Sequence, residues 1–276
     1  MKNKVYYLAV PLLAVFAMFI SIWGPEALAR YKDQGILDSP HTENVENAGE
    51  GYRYQMNSNE KLYVLSCCLS SQTFPESEMS AMTHEADGEM DYQELEGSYA
   101  FVVNRRGPSG REITDEQIYV TCNEGIKLLK EKGILPGQVR EVDASSYDAT
   151  LYSAIDVLEP RNNVAVWKMS LSNSQKNADK TNRLMDAYID ADDGKIYEFY
   201  VRTPLLWEEI DADALVAEWA AYMGLGEPSP YESDNPLLET TPYFRKYVFA
   251  GMGNGQTVVT LGFYEGINEL FLKISR

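Results

Sequence analysis

Residues Val5 to Trp23, VYYLAVPLLAVFAMFISIW, run for 19 positions without a charged side chain. As a helix this stretch spans about 28 Å, close to the thickness of the hydrocarbon layer of a bilayer. Tyr6, Tyr7 and Trp23 stand near its ends, where amphipathic rings favour the membrane interface. Lys2 and Lys4 precede it, which predicts a cytoplasmic N-terminus and an extracytoplasmic body. Pro11 is compatible with a membrane helix. A cleaved export signal is the alternative: Gly24-Pro25 breaks the helix, and Ala27-Leu28-Ala29 offers a cleavage pattern that would release a body starting at Arg30. The apolar run exceeds the core of about 7–15 residues typical of such signals, which favours a retained single-pass anchor in the cell membrane. Either route leaves the body on the same side.

The 276 residues allow one large domain or two small ones, and 45% hydrophobic residues are enough for packed cores. Net charge is −18. The only charges in residues 1–24 are two lysines, so the body carries 22 basic against 42 acidic residues. Such a field repels nucleic acid and anionic lipid surfaces. Three cysteines, Cys67, Cys68 and Cys122, are too few for a disulfide scaffold and read as small buried side chains. Placed on a strand, Cys67 and Cys68 would face opposite ways, leaving only one able to meet Cys122.

Residues 25–50, with Pro25, Pro40 and His41, read as a stalk. Tyr52–Met56 and Leu62–Leu69 read as paired strands across the turn-like Asn57-Ser58-Asn59-Glu60. Phe74–Gly97 is an acidic arm, and no Lys or Arg occurs from Leu62 to Asn104. Ser98–Val103 reads as a strand. Thr114 and Gln117 then fit a capping box, and Ile118, Cys122, Ile126 and Leu129 form a helical stripe. Gly133, Ile134 and Pro136 end that helix. Ala149–Val157 alternates as a strand, with a helix as the competing reading, and Val164–Leu171 reads as a strand. Arg183–Ile189 and Lys195–Val201 form a hairpin around Asp190-Ala191-Asp192-Asp193-Gly194. The pattern then recurs. Asp211 or Asp213 caps a helix whose buried stripe is Leu215, Val216, Trp219 and Met223, with Gly224-Leu225 closing it. A Pro-rich loop (Glu227–Pro236) leads to three strands, Tyr243–Ala250, Thr257–Phe263 and Glu269–Ile274.

The predicted fold class is therefore α+β: an N-terminal transmembrane helix followed by two helix-plus-antiparallel-sheet units. Residues 1–24 form the cytoplasmic tip and anchor and 25–50 the stalk. Residues 51–203 form the first unit with extra N-terminal strands and the acidic arm, and 204–276 the second.

Thr114–Ile118 (TDEQI) with Gly133–Pro136 (GILP), then Val164–Ser170 (VAVWKMS) and Asp186–Tyr197 (DAYIDADDGKIY), resemble a PepSY-type repeat. In that family a helix precedes a tryptophan-bearing strand and a hairpin closed by an acidic, glycine-containing turn. The second unit matches in element order only: it has no Asp-Gly turn, and its Trp219 is on the helix. The resemblance implies a PepSY/cystatin-like fold, as found in pro-segments that inhibit peptidases and in envelope proteins of Gram-positive bacteria. One anchor bearing a tandem ectodomain is also similar in architecture to the YycH/YycI-type regulators of a sensor kinase.

Catalytic constellations are sparse. His41 and His84 are far apart and fall in expected loops, which disfavours zinc chemistry and a Ser–His or Cys–His nucleophile. Asp190, Asp192 and Asp193 lack the spacing of a calcium loop, so a hairpin turn is favoured over a weak calcium site. Gly251–Gly255 carries no Lys-Ser/Thr and reads as a hairpin tip rather than a phosphate cradle. Trp167, Tyr197 and Phe199 are expected in the core, and exposure of all three together would instead mark a partner site. The expectation is thus a non-enzymatic extracytoplasmic protein with no catalytic residue, cofactor or metal. It would bind or regulate an envelope protein, such as a peptidase or sensor kinase, and touch the membrane through residues 5–23. A carboxylate-dependent envelope hydrolase and a structural assembly component are the alternatives.

Overall fold

A capping box starts the first helix of the body. Asn57 N–H donates to Glu60 Oε2 at 2.8 Å, and Glu60 N–H donates to Asn57 Oδ1 at 3.0 Å. This reciprocal pair satisfies two of the amides that a helix start leaves unpaired. Helix α1 then spans Ser58–Ser71. The computed structural model describes residues 55–71, 99–172, 179–231 and 243–276. All of them belong to the compact unit Gly49–Arg276.

Strand β1 (Tyr99–Val103) follows, then α2 (Ile118–Glu131) and the strands β2 (Tyr147–Asp156), β3 (Asn163–Leu171), β4 (Leu184–Asp190) and β5 (Ile196–Arg202). Helix α3 (Ala212–Met223) comes next, with β6 (Ser229–Pro230), β7 (Phe244–Ala250), β8 (Gln256–Tyr264) and β9 (Glu269–Ser275). The nine strands among the described residues join one antiparallel sheet in the order β1-β2-β3-β4-β5-β9-β8-β7-β6.

This corrects the predicted architecture. The two expected helix-plus-sheet units are halves of one continuous sheet, joined where Phe199 pairs with Leu272 and Val201 with Leu270. Strands β5 and β9 share one burial pattern, with four buried residues in succession. Strands buried on both faces belong in a sheet centre, where no backbone group is left unpaired. The predicted N-terminal transmembrane helix has no counterpart among the described elements. Among the described residues no helix is long and apolar enough to cross a membrane. The stretch Val5–Trp23, the stalk, the acidic arm, His41 and His84 lie outside the described residues.

Residues Leu62–Leu69, predicted as a strand, are helical. Every residue from Leu62 to Cys68 is buried, so the run carries no amphipathic period to separate helix from strand. Helix α1 lies across one end of the sheet. Its Cys68 thiol approaches the Ile155 carbonyl near the end of β2, and Ser66 Oγ stands 3.5 Å from Thr257 Oγ1 at the start of β8. Arg276 N–H, just past β9, donates to Ser70 Oγ. Gly251 and Gly255 seat the Tyr63 ring: a Cβ at either position would fall 2.4–2.5 Å from it.

Helices α2 and α3 cover one face of the sheet. Trp167 Nε1–H donates to the Ile113 carbonyl just before α2, and Gly125 of α2 lies against Ile196. Trp219 of α3 packs edge-on to Phe249. The predicted stripes of both helices are buried, as are Trp167, Tyr197 and Phe199. Asp211 caps α3 by accepting from Ala214 N–H. Gly133 and Gly224 take the left-handed conformation that ends each helix.

Candidate functional site

The opposite face, turned away from α2 and α3, carries rows of polar and aromatic side chains set by strand register. Lys168, Tyr188 and Glu198 face one another across β3, β4 and β5. Two residues further along the strands, on the same face, Asp186, Tyr200, Phe271 and Gly262 do the same. Lys168 Nζ sits 5.6 Å from the centre of the Tyr188 ring. Tyr200 stacks on Phe271 with ring centres 5.8 Å apart, and Phe271 on Tyr264 at 4.5 Å. Gly262 makes room for this: a Cβ there would lie 2.4 Å from the Phe271 ring. At the end of the stack Tyr264 is 50% exposed.

Glu198 is the anomalous residue of this face, a carboxyl only 3% exposed. Its Oε1 accepts from the Tyr200 hydroxyl at 2.9 Å and its Oε2 from Ile274 N–H at 3.0 Å. Burial pushes its pKa up to about 7, against the pull of those hydrogen bonds and of Lys273 and Lys168. Glu198 in turn raises the Tyr200 hydroxyl, though burial contributes more. Sequence reading passed over Glu198, because one acid among 42 acidic residues carries no signal. Its place between the aromatic residues of IYEFY was the available clue.

A second polar cluster sits where α1, the β4–β5 turn and the end of α3 meet. Asp190, 1% exposed, accepts at Oδ2 from Lys61 Nζ at 2.9 Å and from the Tyr197 hydroxyl at 2.5 Å. Lys61 Nζ also reaches Asp192 Oδ2 at 2.8 Å. Burial acts most strongly on Lys61 and lowers its pKa, but Asp190 and Asp192 together outweigh it and leave the pKa raised. A cavity of about 410 Å³ opens beside the cluster, lined by Asn57, Lys61, Asp193, Lys195, Tyr197 and Gly224 among others. The Lys61 ammonium stands where a cation would neutralise Asp190 and Asp192, so the cluster clamps α1 to the hairpin turn. Among the described residues no group of three or more His, Cys, Asp or Glu is placed to hold a metal ion.

The cysteines that the sequence set aside as inert are buried and unpaired in a disulfide. Burial raises all three thiols, Cys68 and Cys122 to about 12, which keeps them protonated and poorly nucleophilic. Cys67 and Cys68 lie on a helix, which replaces the strand geometry expected for them.

Comparison with protein-family models, with curated proteins and with solved structures finds no match to this chain.

Proposed function

We propose that this protein is a non-catalytic binding or regulatory module that acts by protein–protein contact in the cell envelope. The sheet face bearing Tyr264, Phe271, Tyr200, Tyr188 and Lys168 would serve as its docking surface. The supporting observation is the row itself. Stacked rings that end in a half-exposed tyrosine supply rigid, amphipathic contact area, and Lys168 and Lys273 beside them offer cations on a strongly acidic chain. The occupant that suits this chemistry is the extracytoplasmic part of another envelope protein, presenting acidic side chains around an apolar centre. The uncharged stretch Val5–Trp23 would carry the body across the membrane and keep it there. The likeness of Thr114–Pro136 and Val164–Tyr197 to PepSY repeats agrees with a restraining role toward a peptidase or a sensor kinase.

The test is co-purification from detergent-solubilised membranes of the native host, with wild type beside Tyr264→Arg and Lys168→Glu. The expected result is one stoichiometric protein partner with wild type, reduced at least about tenfold by either substitution. Recovery of the same partner at equal yield from both variants removes this face from the proposal, and recovery of none from wild type removes the binding role.

A further inference from the structure

The end of the sheet opposite α1 holds a cavity of about 460 Å³. Its walls come from the approach to β4 (Lys180, Thr181), the end of β5 and the residue after it (Arg202, Thr203), and Asn268 just before β9. The Thr203 amide donates to the Asn268 carbonyl at 2.9 Å, which fixes the two β-ends to each other. Thr203 Oγ1 accepts from Leu205 N–H, so its own proton is left to donate. Arg202 Nε is buried without a hydrogen bond; its nearest acid, Glu269, stands 3.5 Å away. Lys180 is half-buried and makes no ion pair among the described residues. Of the two non-glycine residues held at positive φ among those described, Asn268 lines this cavity and Asn182 follows Thr181 of its wall. Such backbone positions cost energy and gather where a site is being shaped.

A cationic, donor-rich cavity is out of keeping with a chain of net charge −18. Lys180 and Arg202 bring two positive charges to the cavity, with Glu269 beside Arg202. A guanidinium, an ammonium, two hydroxyls and a side-chain amide approach from different walls. A carboxylate is satisfied by a planar fork, whereas a tetrahedral oxyanion needs donors from several directions. The volume exceeds that of a bare ion. We propose that this cavity binds a phosphate-type oxyanion carried on a small polar molecule, at the margin of the aromatic docking face, where Arg202 pairs with Glu269 and Glu269 with Tyr264.

The test is titration of the full-length protein in detergent with glycerol 3-phosphate and with inorganic phosphate at constant ionic strength, read by phosphorus NMR. The expected result is saturable binding of both, weakened roughly tenfold or more by Lys180→Gln and by Arg202→Gln, and unchanged by Lys195→Gln at the other cavity. Lys180→Gln keeps the measurement decisive if loss of Arg202 unsettles Glu269. Absence of saturable binding by wild type overturns the proposal, as does an unchanged affinity in Lys180→Gln or an equal loss in Lys195→Gln.

Discussion

At the scale of single residues the molecule keeps two buried acids by different means. Asp190 has a half-buried cation partner in Lys61, and truncating that partner strands the charge. Lys61→Met is expected to lower stability by about 3–5 kcal/mol, with much of the loss restored in Lys61→Met/Asp190→Asn; denaturant unfolding of the two variants checks this. Glu198 has no such partner, and its folded-state pKa of about 7 lies above the ordinary value of 4.5. The stability it contributes is full below pH 4.5 and is lost as pH rises through about 7, a swing of about 3 kcal/mol. Glu198→Gln should therefore flatten the stability profile across that window. By urea titration the variant is expected to be up to about 3 kcal/mol more stable than wild type at pH 8, and close to it at pH 4. Neither acid was distinguishable in the sequence. Their status comes from burial, and burial of a charged side chain is decided by neighbours more than 70 positions away: Ile274 for Glu198, Lys61 for Asp190.

Among the elements, legibility followed local chemistry. The stripes of α2 and α3, their glycine ends, the β4–β5 hairpin and the three C-terminal strands all read correctly, because period, caps and turn residues are encoded in adjacent positions. Residues 147–156 resolved to the strand reading. Helix α1 was misread although its start was written in Asn57 and Glu60, because a turn and a capping box use the same residue types. The buried run after it suited either structure. The hairpin tip Gly251–Gly255 was placed correctly, but its glycines answer to Tyr63, a contact no local pattern predicts. Gly255→Ala is expected to cost about 1–3 kcal/mol by driving Tyr63 from its seat, read as a lowered Tm. Gly262→Ala should cost a similar amount and should also weaken partner capture, since it displaces Phe271 from the stack that carries Tyr264.

For the whole molecule the seam between β5 and β9 was the largest feature hidden from the sequence. Local patterning marks a strand but does not say which distant strand it will pair with, and the mostly apolar runs of Ile196–Val201 and Leu270–Ile274, each broken by one charged residue, were its only trace. One sheet implies one cooperative unit, so amides of β5 and β9 should rank among the slowest to exchange with solvent. Fast exchange in both strands would restore two separate sheets. A continuous sheet also makes the aromatic row possible, because Tyr200 and Phe271 stack only across that seam. The most direct test of the proposed role is site-specific photo-crosslinking in the native host, with a benzophenone side chain placed at Tyr264 or, as control, at exposed Val120 on α2. Position 264 is predicted to give one discrete adduct with a single envelope protein, absent from position 120. No adduct at 264, or the same adduct from both positions, would contradict it.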